Sequence, residues 1–279
     1  MSSRYLLNMT IRFRNRLTYV FFFVSLALFL LAVFFTCWRF FSSTLILPQV
    51  YNKNYSENFL LRYSPVFTFA GIFTNMLYVC ITTLVIYHSF EKTQAPDIMF
   101  FLLFLLACLC DASRIFVPLF GLSNSFSNFL LKLGNAHLFA RLLAPLALMG
   151  NTAMAGDSFK QYVDRNCLIL IMISIFFAEF IPLNTAVILP NYCISYGYVK
   201  GIRLFSTFII VLSTISLYIS NKKNDYKQFM TIGFIMLSIG YTLLFYCYNL
   251  VFFASGTLLL AAGTIIYLGE IHKHYLWLD

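Results

Sequence analysis

Charge is scarce in this chain. Only 10% of its 279 residues are Asp, Glu, Lys or Arg, against about 25% in ordinary soluble domains. A soluble fold must keep a wet exterior, and a chain that is 61% hydrophobic has too few polar side chains to build one. Catalytic signatures are also missing. No P-loop is present, which excludes direct nucleotide hydrolysis by that device. No His-Glu-x-x-His pair, clustered Cys and His, or Gly-x-Ser-x-Gly elbow is present either. The sequence therefore implies no cofactor and no metal. The 7 cysteines are odd in number and share no repeated spacing, so they imply no disulfide framework. Cys108 and Cys110 lie two apart in an apolar run, where a helix turns them to different faces.

Long apolar runs dominate instead. A segment of about 20 apolar residues is long enough to cross a bilayer as a helix. Eight can be read, over residues 18–41, 66–88, 98–120, 138–155, 167–190, 202–220, 229–248 and 250–271. Runs such as Phe100 to Leu106 do not alternate polar and apolar positions, so a barrel is excluded. The expected fold class is all-α, a polytopic integral membrane bundle of about eight transmembrane helices, one anchor plus seven. The last two spans meet around Asn249 and predict a tight helical hairpin.

The net charge of +9 would suit nucleic acid if it formed one patch. The basic residues instead sit between apolar runs, where they orient spans toward the cytoplasm. Four arginines, Arg4, Arg12, Arg14 and Arg16, precede the first run, and Lys222-Lys223 follow the sixth. Both termini are thus expected to be cytoplasmic. Tyr87, Tyr218 and Tyr267 near the ends of even-numbered spans read as interfacial aromatics on that side. The implied organisation is a basic cytoplasmic leader 1–17, a transmembrane anchor 18–41, an outer loop 42–65, a seven-helix bundle 66–271 and a cytoplasmic tail 272–279. The first apolar run is too long for a cleaved signal and lacks a small-x-small site after it. The localisation implied is the cytoplasmic (inner) membrane, with the bilayer as the principal partner and no nucleic acid.

Ionisable residues at membrane depth are costly and mark functional candidates. Asp111 and Arg114 share a helical face three residues apart and can pair. Arg141 lies near the outer start of the fourth span. Glu179 sits about midway along the fifth, with no partner supplied by the sequence. Pro145 and Pro182 are expected to kink their helices, and Pro118 lies at a comparable depth. Asn151, Thr152, Asn184 and Thr185 would add hydrogen-bonding groups to the same region. The four charged residues are the candidate ligand or ion site, or else a structural ion-pair network. No residue stands out as catalytic. Small residues at Gly233 and Gly240, and at Gly256 and Gly263, fall seven apart on the last two spans and predict close helix packing.

The stretch from Gly71 to Tyr78, the Glu91-Lys92 turn and the aromatic span closing at Gly121 carry a resemblance in layout. One N-terminal anchor, an outer segment and seven helices resemble the membrane region of bacterial seven-transmembrane receptors with diverse intracellular signalling modules. That resemblance implies a sensing module. The outer segment is shorter than that family's folded sensory domain, and the sequence contains no output domain, so the module would signal through a separate membrane or cytoplasmic partner. Three functional expectations result: a receptor-like or scaffold module acting through partner proteins, a transporter or permease subunit using the charged cluster, and an intramembrane lipid-modifying enzyme using Asp111 and Glu179 as acid and base.

Overall fold

The computed structural model describes residues 2–42, 62–93, 95, 97–122, 128–153, 163–222 and 228–276. The expected outer loop 42–65 lies largely outside these residues, as do the last three residues of the expected tail 272–279, whose earlier part continues α9. The long helices are α1 (Ser2–Phe41), α2 (Pro65–Phe90) and α3 (Asp97–Asp111), then α5 (Asn128–Ala153), α6 (Val163–Phe180), α7 (Val199–Lys222), α8 (Gln228–Phe245) and α9 (Leu250–Leu276). A 3-10 turn (Ala112–Ile115) and a one-turn helix α4 (Phe116–Leu119) follow α3. The protein is thus a helical bundle, and among the described residues 5 helices are long and apolar enough to cross a membrane. The others fall short for local reasons. Asn135, His137 and Arg141 dilute α5, Asp164, Arg165 and Glu179 place three charges on α6, and the apolar part of α8 is short.

Much of the bundle's outer surface is hydrocarbon. Phe176, Phe208, Leu258 and Ile265 stand exposed, a pattern that only an apolar surrounding tolerates over so wide an area. The central core joins α2, α3, α5, α8 and α9 around Phe101, Phe104, Phe234 and Tyr267. Tyr267 stacks on Phe101 with centroids 5.9 Å apart and is buried. It is therefore a core residue and not the interfacial aromatic its position suggested. Tyr87 and Tyr218 are exposed.

Helix α1 runs without interruption through the expected leader and anchor. It lies along α2 on the bundle's edge. Arg14, buried between exposed Arg12 and Arg16, donates to the carbonyl oxygens of Phe90 and Thr93 at the end of α2. A cation there satisfies carbonyls that the helix leaves open and complements its dipole. His272 on α9 meets Phe90 edge-on at 5.3 Å. The start of α1, the end of α2 and the end of α9 therefore share one end of the bundle.

The most intimate pair is α8 with α9, joined by a four-residue turn. Asn249 caps α9 by accepting from the Phe252 amide at 2.9 Å. A Cβ at Gly263 would lie 2.5 Å from the Leu237 nitrogen, and one at Gly240 would strike the backbone of Leu260. The glycine spacing thus carries the close approach expected of it.

The fifth apolar run departs from expectation. Helix α6 ends at Phe180, and Pro182 leads into an antiparallel hairpin of β1 (Leu183–Ile188) and β2 (Ile194–Tyr196). Pro182 therefore terminates a helix where a kink was expected. Proline lacks the N–H that would continue the ladder, and the β-branched Thr185, Val187 and Ile188 suit a strand. The loop is Pro190-Asn191-Tyr192. Tyr192 N–H donates to Leu189 O at 2.9 Å, Leu189 N–H donates to Cys193 O at 2.8 Å, and Tyr192 has φ 63°. A turn followed by a left-handed residue is a common three-residue hairpin connection. Pro145, by contrast, is accommodated inside α5.

Gly263→Leu should lower the thermal unfolding temperature in detergent, since overpacking costs about 1–3 kcal/mol. Gly269→Ala, where a Cβ meets nothing within 4 Å, should leave it unchanged or raise it. Equal losses in both would refute the packing account of α8 and α9.

Candidate functional site

The site begins with a break in a helix. Pro118 cannot donate to the carbonyl four residues earlier, that of Arg114. The chain tightens to 3-10 geometry over Ala112–Ile115, a form often used at hinges. Asn75 on α2 donates its Nδ2 to Cys108 O at 3.0 Å, just before the break. Asp111 and Arg114 sit on either side of the first turn of that segment.

Their side chains pair as their spacing predicts. Arg114 Nη2 lies 3.3 Å from Asp111 Oδ2, and both side chains are only 2% exposed. Arg114 does more than neutralise Asp111. Its Nη1 donates to Phe245 O at 2.8 Å and its Nη2 to Leu244 O at 3.3 Å. These are the last carbonyls of α8, where a cation is favoured. Asn191 in the hairpin loop donates to the same Phe245 oxygen at 3.1 Å.

Two further groups complete the cluster from α5. His137 Nδ1 approaches Asp111 Oδ1 at 3.0 Å and Cys193 Sγ at 3.7 Å. Its ring stacks on Phe245, with centroids 5.2 Å apart at 19°. Arg141, one turn on, places its guanidinium 4.1 Å from the centre of the same ring and donates to Tyr246 Oη at 3.3 Å. Arg114 Nη1 also approaches Cys193 Sγ at 3.8 Å. Residues from α3, the 3-10 turn, α5, the hairpin and the end of α8 thus converge.

The electrostatics are unbalanced. Two arginines and a histidine face one carboxylate, and Arg141, 4% exposed, is held by aromatic rings and a phenol with no carboxylate at contact distance in any described pair. His137 Nε2, Arg114 Nε, Arg141 Nε and Tyr241 Oη are buried without a hydrogen-bond partner among the described residues, and Asp111 Oδ1 has only its charge contact with His137. Buried polar groups normally find partners, and an unpaired buried donor costs about 1–3 kcal/mol. The arrangement suits an acceptor or anion. It does not suit a cation, and no group of three His, Cys, Asp or Glu side chains among the described residues could hold a metal.

Of the four charged candidates, Asp111, Arg114 and Arg141 come together. Glu179 does not. It lies exposed in the last turn of α6, and Asn135 Nδ2 donates to its Oε2 at 2.9 Å. The expected mid-span position fails because α6 stops at Phe180. Asn184 and Thr185 sit on β1, and Asn184 Oδ1 accepts from Ala186 N–H. Asn151 and Thr152 are ten or more residues beyond Arg141 on α5, about 15 Å along the axis, and stay outside the cluster. His137 was the member that sequence reasoning missed. Its signal was present: His137 directly precedes the fourth apolar run, four residues before Arg141, so the two share a helical face if the helix begins earlier. Cys193, Asn191 and Phe245 had no such signal.

No known family model matches this chain, and no match to a curated protein is found.

Asp111→Asn should destabilise the purified protein by about 3–5 kcal/mol, the usual result of removing one member of a buried pair. Glu179→Gln should change stability by less than about 0.5 kcal/mol, as at other exposed positions. Unfolding of both variants in detergent beside the parent checks the contrast, and a Glu179→Gln loss matching that of Asp111→Asn would contradict it.

Proposed function

We propose that this protein is a receptor-like module of the cytoplasmic membrane. It has eight spans and both ends on the cytoplasmic face, and it passes a change at its buried cluster to a partner protein. The observation that carries this reading is the cluster's unbalanced set of donors at the meeting of five segments. A small anion accepting from Arg141 and His137 would supply the missing partner for both. It would at the same time alter how α5, the hairpin and the α8–α9 turn are held together. Such a ligand shifts a conformational equilibrium by its differential contacts in two states.

Several features support the assignment. The 3-10 break beside Arg114 gives α3 a place to bend. The distribution of basic residues supports the orientation, which puts the cluster toward the outer face.

The test is thermal stabilisation of the detergent-purified protein by a panel of phosphate, sulfate, acetate and short dicarboxylates. At least one should raise the unfolding temperature of the parent by several degrees and leave Arg141→Met unmoved. Crosslinking from the cytoplasmic loops in native membranes should then capture one specific partner whose yield changes with that anion. No stabilisation by any anion, together with no specific partner, would reject the proposal. Saturable accumulation of the anion in proteoliposomes would replace it with transport.

A further inference from the structure

The buried Arg141 is held by a weak substitute for a counter-ion. Its Nη2 donates to Tyr246 Oη at 3.3 Å, and none of the ion pairs among the described residues includes it. A phenol accepts a hydrogen bond and brings no counter-charge. Bonds from a guanidinium to an anionic oxygen are shorter, about 2.7–2.9 Å. The Tyr246 oxygen therefore holds a place that an anionic oxygen would fill better.

Tyr246 is also built to give that place up. It lies in the turn between α8 and α9. Its N–H donates to Thr242 O at 3.2 Å, the Cys247 N–H donates to Leu244 O at 3.2 Å, and Tyr248 O accepts from Ser64 N–H at 3.0 Å. The backbone is tied on both sides of the residue, so movement is left to the side chain. Tyr246 is only partly buried, and the exposed Arg203 stands beside it at the start of α7. The Arg203 guanidinium lies 5.4 Å from the centre of the ring, and that of Arg141 lies 5.3 Å from it. One ring is thus shared between a buried and an exposed arginine, and Arg203 too is in none of the ion pairs among the described residues. Attraction between a cation and a ring reaches to about 6 Å, so Arg203 can keep the ring after its hydroxyl has left Arg141.

Resting on the anion reading of the buried cluster, we propose that Tyr246 is a built-in competitor for that site. In the free protein its phenol occupies Arg141. A small oxyanion entering past Arg203 displaces the phenol, takes the Arg141 donors, and leaves the ring turned outward against Arg203. The charge of Arg203 raises the local anion concentration at this entrance. Removing the Tyr246 hydroxyl should therefore tighten binding, where removing a direct ligand would loosen it.

The test is equilibrium binding of radiolabelled sulfate and acetate to the full-length protein in detergent. Tyr246→Phe should bind the preferred anion about fivefold more tightly than the parent, because a hydrogen bond to a charged donor is lost from the free state alone. Arg203→Gln should bind it about threefold more weakly at low ionic strength, a difference that shrinks as inert salt is added. Tyr248→Phe, in the same turn with its ring against Phe252, is the control and should bind as the parent does. In the fluorotyrosine-labelled parent, the fluorine resonance that Tyr246→Phe lacks should shift on addition of the anion, and it should hold still in Arg141→Met. Weaker or unchanged binding by Tyr246→Phe overturns the proposal and leaves the anion site at Arg141 standing. Binding to neither the parent nor Tyr246→Phe rejects the proposal and the anion reading together.

Discussion

A single guanidinium organises the polar interior. Arg114 touches a carboxylate on its own chain segment, two carbonyls at the end of α8 and the sulfur of Cys193 in the hairpin. Each of these groups would be costly alone in a bundle without water. A buried carboxylate needs a counter-charge, and the last carbonyls of a helix need donors. The planar, multi-donor geometry of arginine meets both needs at once, and lysine could not reproduce it. The meeting of α3, the hairpin and the end of α8 depends on this one side chain.

The same device recurs at the opposite end. Arg14 satisfies the end of α2 and so docks α1 against the bundle. In a membrane, helix association gains nothing from hiding apolar surface, because the lipid is apolar too. Two other contributions remain: directional bonds to exposed backbone groups, and close approach of small residues. The protein uses arginines at the ends of α2 and α8, and glycines along α8 and α9. Its outer surface is left to lipid.

Much of this organisation is legible in the residues. The apolar runs place α2, α7 and α8 to within about three positions at each end, whereas α1 and α5 begin ten or more residues before their runs. The Asp111–Arg114 pair follows from a three-residue spacing, and the α8–α9 contact from glycines seven apart. The fifth run misleads because hydropathy does not distinguish a spanning helix from a helix followed by an apolar hairpin. Both read as one continuous apolar segment. Proline was the clue, but the reading of Pro182 as a kink presumed that helix resumed beyond it. Once α6 ends at Phe180, Glu179 leaves the interior for the surface.

Sequence alone determined the solvent of this protein: too little charge for water, and runs long enough for hydrocarbon. It also determined every interaction that rests on helical periodicity, since a spacing of three, four or seven fixes a shared face whatever surrounds it. Only the tertiary structure decided which faces meet. His137 reaches Asp111 and Cys193 because α5 lies against the broken end of α3 and the hairpin folds over both. Phe245 becomes a platform for a histidine and an arginine because α8 ends where it does. Those contacts join residues 26 to 108 positions apart in the sequence, a separation across which local periodicity carries no information.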